Sequence, residues 1–277
     1  MGTETSDGHS FVKSLAVIAL PLLVILLVAE VVLHGETALN NSNGLTGFDP
    51  LTLGFVSLLV LSVLFYELKK HGERTARLLM AGVTTSGMIA GLILLQAWFA
   101  SASTGVGVFY LLAPPLAYAG FYFSFRDYTG SLSRRRAGIL RAVSVTVLGA
   151  VLGAFLPVFF TIPFLVLLSI LDPLLIESNI LKRSVGMSAL DSLTTATTLP
   201  LAGLDVGLGD LMAYSMLATS SIVNSGILAA LATTALILTG VLLTLRIASS
   251  RHIVAGLSIP LWLGVLPSII LMLIPMI

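Results

Sequence analysis

Two aspartates lie well inside long apolar segments of this sequence, where charged side chains are rare. Asp172 belongs to the segment 160–178, and Asp210 belongs to the segment 199–222. An ionised carboxylate at this depth in lipid is costly unless it faces a partner or water, so such an acid is first treated as functional. We therefore take Asp172 and Asp210 as the candidate catalytic residues.

Two carboxylates brought close together cannot both ionise easily, so they share a proton. One of them can then deprotonate a water molecule while the other donates to the carbonyl oxygen of a peptide bond, which is the chemistry of aspartic proteases and requires no metal. Depth alone also suits two other roles, an interhelical hydrogen bond and an ion-pathway acid of a transporter. These alternatives remain open at this point.

Other catalytic chemistries find few suitable residues. The chain has no cysteine, which excludes thiol nucleophiles and thiolate metal sites. Its four histidines fall in predicted loops or at a span edge, so the sequence offers neither a buried Ser/His dyad nor a His-Glu-x-x-His zinc site; they are His9, His34, His71 and His252. We expect no metal and no cofactor.

The elements that position the two acids are predicted to be transmembrane helices. Of 277 residues, 57% are hydrophobic and only 10% are charged, which excludes an ordinary soluble globule. A helix needs roughly 20 apolar residues to cross a bilayer. Nine segments qualify, so we predict an all-α membrane protein with nine spans: 14–33, 51–66, 78–100, 105–125, 138–157, 160–178, 199–222, 226–245 and 253–276.

The Lys and Arg residues predict the orientation of these spans. All 14 precede span one or follow spans two, four, six and eight, and positive residues are retained in cytoplasmic loops. We therefore expect a cytoplasmic N-terminus and an extracytoplasmic C-terminus. The expected organisation is a polar tail, 1–13, and a single domain, 14–277, whose cytoplasmic loop 179–198 joins spans six and seven.

This topology predicts that the two acids lie at one depth. Asp172 precedes Lys182 by ten residues, and Asp210 follows Pro200 by ten. At 1.5 Å per helical residue, each would lie about 15 Å from the cytoplasmic end of its span. Two consecutive antiparallel helices would then present two carboxylates to each other.

The sequence around Asp210 reads Gly-Leu-Gly-Asp-Leu-Met-Ala-Tyr-Ser over 207–215. It resembles the Gly-x-Gly-Asp motif of presenilins and signal peptide peptidases, including the Tyr-Ser that commonly follows. In that family the motif lies in the seventh of nine spans and another catalytic Asp lies in the sixth. The resemblance implies that Asp172 and Asp210 form the catalytic dyad. The family's first motif is Tyr-Asp, whereas here Leu171 precedes Asp172.

A third family motif, Pro-Ala-Leu, is matched loosely by Pro260-Leu261-Trp262. The resemblance implies that this segment lines the active site and receives substrate. Glycines beside an acid also let a substrate backbone approach, although small residues equally serve close helix packing. The predicted substrate-binding residues are Gly207, Leu208, Gly209, Pro260 and Leu261.

We therefore predict an intramembrane aspartyl endopeptidase that cleaves transmembrane helices or signal peptides. The resemblance implies an archaeal presenilin homologue, and we expect a multi-pass protein of a prokaryotic cell membrane. Its surroundings would be the lipid bilayer, and no nucleic acid is expected as a partner. The short loop between spans six and seven favours a single-chain enzyme. Two alternatives are a proton- or cation-coupled transporter using the same acids and an inactive scaffold. Oligomerisation is possible, because Gly149 and Gly153 have the spacing of a close helix contact, internal or between subunits.

Overall fold

The structure, a computed structural model, describes residues 50–101, 106–177, 194–201, 204–248 and 256–273. Predicted span one and most of the loop 179–198 lie outside these ranges. The described elements are six helices and one pair of strands: α1 Pro50–Ser101, α2 Val106–Tyr128, α3 Arg134–Phe155, α4 Val158–Glu177, β1 Thr198–Leu201, β2 Leu204–Gly207, α5 Leu208–Ala248 and α6 Ser258–Leu273.

These helices are those of a membrane protein. Four helical segments are long and apolar enough to cross a bilayer, namely Arg74–Gln96, Gly107–Tyr128, Arg134–Phe155 and Leu208–Ile247. Large apolar side chains also point away from the protein, as at Leu111, Phe159 and Leu228, which are 75%, 80% and 80% exposed. Such surfaces are stable against lipid and unfavourable in water.

Helix α1 contains both predicted spans two and three. Its 52 residues would extend about 78 Å if straight, more than twice the thickness of a bilayer core. A hydrogen bond shows that the chain bends between these spans. Thr75 Oγ1 donates a 3.1 Å hydrogen bond to the carbonyl oxygen of Glu67, eight residues earlier. In a straight helix those residues would be about 12 Å apart. The bend falls within the cationic segment that was predicted to separate the spans.

Helix α5 likewise consists of two antiparallel halves. Gly226 interrupts it with φ 82° and ψ 178°, a conformation that favours glycine. Thr233 Oγ1 donates a 3.2 Å hydrogen bond to Ser221 Oγ, although twelve residues of straight helix would separate them by about 18 Å. The turn at Gly226 lies where the sequence predicted the boundary between spans seven and eight.

The start of span seven was predicted wrongly. Residues from 199 onward were expected to be helical, but β1 and β2 form an antiparallel hairpin in which Thr198 pairs with Gly207 and Leu201 with Leu204. Pro200 has no N–H to donate and glycine lowers helix propensity, so this stretch favours an extended conformation. The strands pair each other's backbone groups, and α5 begins only at Leu208.

Close packing joins α3 to the first half of α5. A Cβ built on Gly149 would collide with the Met212 carbonyl oxygen and Ser215 Oγ, and one on Gly153 would collide with the Met216 carbonyl oxygen. Helices in lipid associate through such small residues because no hydrophobic effect drives them together. The contact left open by the sequence is therefore internal to the chain.

Candidate active site

Asp210 lies in the first turn of α5, directly after the β-hairpin. This differs from the sequence prediction, which placed it about ten residues along a helix. The positive end of the helix dipole favours a carboxylate at this position. Gly207 lies beside it, since a Cβ built there would be 3.1 Å from Asp210 Oδ2. Leu208, only 3% exposed, anchors the start of the helix in the core.

Asp172 lies on α4, five residues before the end of that helix at Glu177, and is partly buried. Its Oδ2 accepts a 3.1 Å hydrogen bond from the backbone N–H of Leu257, which lies just before α6. Pro173 is accommodated within α4. The carboxylate is thus held against the N-terminal end of α6.

Both carboxylates meet at one peptide unit, between Gly256 and Leu257. A Cβ built on Gly256 would lie 2.6 Å from Asp210 Oδ2, while Leu257 N–H binds Asp172 Oδ2. These contacts and standard backbone dimensions limit the separation of the two oxygens to at most about 10 Å. The acids of α4 and α5, 38 positions apart in the chain, therefore share one site.

Two further hydrogen bonds hold this peptide in place. The Tyr214 hydroxyl, one turn after Asp210, donates a 2.9 Å bond to the Gly256 carbonyl oxygen. Ser258 Oγ donates a 2.7 Å bond to the carbonyl oxygen of Ser169, one turn before Asp172. Each helix that carries an acid is thus joined to the 256–258 segment by a hydrogen bond about one turn from that acid.

Of the other three predicted site residues, one is exposed and two are buried. Gly209 is exposed, and a Cβ there would meet nothing within 4 Å. Pro260 and Leu261 are buried, Leu261 being 1% exposed. A Cβ on Gly240 would lie 2.5 Å from Pro260 Cα, so the start of α6 packs tightly against the second half of α5. These two side chains face the core, and they position the segment that contacts the acids.

Three residues of the site were not singled out in the sequence as site residues: Tyr214, Gly256 and Leu257. In the sequence, Tyr214 stands out only as part of the Tyr-Ser that follows the Gly-x-Gly-Asp motif. Gly256 stands four residues before Pro260, in a short stretch without acidic or aromatic side chains. Its contribution is the absence of a side chain, which no pattern of reactive residue types reveals.

The donor set at this site suits acid–base chemistry. Among the described residues, no group of three or more His, Cys, Asp or Glu could hold a metal ion. Two carboxylates that share a proton and an adjacent water can act as general base and general acid. Backbone N–H groups beside them can orient a carboxylate or a carbonyl oxygen.

A scan against protein-family models finds no match, and a search of curated proteins finds none either.

Proposed function

We propose that this chain is an intramembrane aspartyl endopeptidase of the Gly-x-Gly-Asp type, with Asp172 and Asp210 as its catalytic carboxylates. The supporting observation is that both acids lie beside the single peptide unit 256–257, although they come from different helices: the Leu257 N–H donates to Asp172 Oδ2, and Asp210 Oδ2 lies 2.6 Å from the position that a Cβ on Gly256 would occupy. An acid that only joined two helices would not require a second acid at the same peptide.

In the proposed reaction, a water molecule lies between the two carboxylates. One carboxylate removes a proton from the water as its oxygen attacks the carbonyl carbon of the scissile bond, and the other donates its proton to the carbonyl oxygen. The tetrahedral intermediate then collapses: the C–N bond breaks as the first carboxyl group gives the nitrogen the proton that it took from water, a hydroxyl of the intermediate returns a proton to the second carboxylate, and a carboxylic acid and an amine leave. The two aspartates act as one titrating unit.

The substrate of this reaction is a transmembrane helix, which must unwind before its carbonyls can be attacked. Unwound backbone in lipid needs new hydrogen-bond partners. The hairpin can supply them, because β2 leads directly into the turn that carries Asp210 and a strand edge can pair with an extended peptide. Gly209 leaves open space next to the acid for that peptide.

The finer topology is part of this proposal. We infer nine spans with a cytoplasmic N-terminus and an extracytoplasmic C-terminus, in a single-chain enzyme of a prokaryotic membrane. Arg141, a member of the cationic set that predicts the cytoplasmic side, donates a 2.7 Å hydrogen bond to the carbonyl oxygen of Ala196, just before the hairpin. The hairpin and the entry of water are thus assigned to the cytoplasmic side.

The proposal is tested with purified protein in liposomes that contain a transmembrane reporter peptide, with the products identified by mass spectrometry. Asp172→Asn and Asp210→Asn keep the side-chain volume and remove the ionisable group, so each should lower cleavage by at least about 100-fold. Glu177→Gln, on the same helix as Asp172, is the matched control and should cleave like the original protein.

A hydroxyl-bearing transition-state analogue separates this enzyme from a transporter that uses the same acids. The analogue should block cleavage and should bind far more weakly to either Asn variant. Proton or cation flux that depends on both acids, without any cleavage of the reporter, would support the transporter and refute the protease.

A further inference from the structure

A cavity of about 490 Å³ lies outside the candidate active site. It is bounded by α1, the end of α2, the start of α3 and the segment before β1. Its polar lining includes three arginines, one aspartate and two threonines: Arg77, Asp127, Arg134, Arg141, Thr195 and Thr198. The volume is in the range of small-molecule sites.

One arginine of the cavity is fixed by an internal ion pair. Arg141 donates through Nε to Asp127 Oδ2 and through Nη2 to Asp127 Oδ1, both at 2.8 Å. Asp127 is almost fully buried, its side chain 2% exposed, and Arg141 is 11% exposed. This bidentate pair neutralises Asp127, the acid that lines the cavity in the part of the chain that the structure describes.

The two remaining arginines, Arg77 and Arg134, are exposed and lie on different elements. The guanidinium of Arg77 lies against the turn between α2 and α3, where its Nη1 is 3.0 Å from the Cβ position of Gly130. Gly130 adopts φ 69°, a conformation that favours glycine. Because glycine has no side chain, nothing from this residue separates the turn from the arginine. Arg134 is the first residue of α3. Two arginines, one from α1 and one from the start of α3, thus line one cavity.

We propose that this cavity binds a phosphate-bearing anion. Guanidinium groups pair with phosphate oxygens through two parallel hydrogen bonds, and the threonines add hydroxyl donors. The cavity lies at the arginine-rich end of the helices, which the charge distribution places at the cytoplasmic leaflet, where anionic lipids are found. The ligand is either the headgroup of an anionic phospholipid or a free phosphate compound. This proposal does not depend on protease activity.

The bound anion would also contact the segment that leads to the hairpin, because Thr195 and Thr198 line the cavity and Arg141 holds the Ala196 carbonyl oxygen. Occupancy therefore joins α1 and α3 to the strands before Asp210. Anion binding can be measured whether or not the protein cleaves peptides, and an effect of the anion on cleavage would be a separate observation.

The test uses the full chain in detergent, titrated with dioleoylphosphatidylglycerol, with dioleoylphosphatidylcholine or with inorganic phosphate, and followed by native mass spectrometry and thermal unfolding. The double variant Arg77→Gln/Arg134→Gln removes both exposed charges of the cavity. The matched control is Arg135→Gln/Arg136→Gln, which removes two exposed charges from the same turn of α3 outside the lining. Arg77→Lys/Arg134→Lys keeps the charge if the glutamine variant unfolds.

We expect the original protein and the control to bind phosphatidylglycerol and not phosphatidylcholine. The cavity variant should bind roughly 30-fold more weakly. This factor corresponds to the loss of about 1 kcal/mol of electrostatic attraction for each of the two arginines. The lysine variant should bind at an intermediate level. Binding of inorganic phosphate with the same dependence on Arg77 and Arg134 would identify a free phosphate compound as the ligand.

Two results would overturn the proposal. One is equal binding of phosphatidylglycerol and phosphatidylcholine, with no binding of inorganic phosphate. The other is an equal loss of binding in the cavity variant and in the Arg135/Arg136 control, since that would reflect general surface charge and not this cavity.

Discussion

Replacing Gly256 by alanine tests the geometry of the candidate active site with one methyl group. The new Cβ would lie 2.6 Å from Asp210 Oδ2, whereas ordinary contacts begin near 3.4 Å, so the carboxylate must move by about 0.8 Å. Gly256 is not among the glycines with positive φ, so alanine adds no backbone strain. Because the contacted atom is the end of a side chain, the displacement falls on the carboxylate and little on the fold.

A 1 Å misplacement of a reacting group costs on the order of 100-fold in rate. We therefore expect Gly256→Ala to lower the cleavage rate by about 10- to 100-fold with little change in unfolding temperature. The assay is initial-rate cleavage of the transmembrane reporter, paired with thermal unfolding of each preparation. Gly82→Ala is the control, because a Cβ at that exposed site on α1 meets nothing within 4 Å.

Cleavage by folded Gly256→Ala within about threefold of the original rate would refute the argument that this peptide sets the position of Asp210. An equal loss in Gly82→Ala would show that the rate responds to any change in the helices.

Three other substitutions probe the same account. Tyr214→Phe removes the hydrogen bond to the Gly256 carbonyl and should destabilise the protein by about 1 kcal/mol while lowering kcat several-fold, measured by thermal unfolding and reporter cleavage. Arg141→Met leaves Asp127 buried without its partner and should cost about 3–5 kcal/mol in unfolding free energy, most of which Arg141→Met/Asp127→Leu should restore; no recovery in the double variant would contradict this. Leu171→Tyr supplies the tyrosine of the family motif at a side chain 38% exposed, so it should leave the unfolding temperature unchanged and cleavage at least as fast; a drop in both would show that this position is packed.

Much of the helical framework could be anticipated, because a helix that crosses lipid needs a long apolar segment. The apolar segments 199–222 and 226–245 predicted a boundary between spans seven and eight, and the turn at Gly226 falls at that boundary. The bend between Glu67 and Thr75 falls between predicted spans two and three in the same way. Both features follow from local composition, which the sequence displays directly.

The start of span seven could not be anticipated from hydropathy. The stretch 198–207 is apolar, and an apolar segment satisfies a hydropathy criterion whether it is helix or strand. Pro200 is unfavourable in a helix interior, and a partner strand lies only a few residues away. This is why Asp210 lies in the first turn of a helix and not in its interior.

The candidate site was anticipated only in its reactive groups. Asp210 stands out through its glycine motif, and Asp172 through its depth in an apolar segment. Gly256 and Leu257 contribute a bare Cα and a backbone N–H, and each lies more than 40 positions from the acid that it contacts. Such contacts arise from tertiary packing of α4, α5 and α6, so residue type gives no signal for them.

The most direct test of the central claim is a double-mutant comparison of the two acids in the reporter assay. If Asp172 and Asp210 form one catalytic unit, Asp172→Asn and Asp210→Asn should each reduce cleavage by at least about 100-fold, and the double variant should lose no more than either single variant. Measurable cleavage within the transmembrane segment by either single variant, at more than about a tenth of the original rate, would contradict the account.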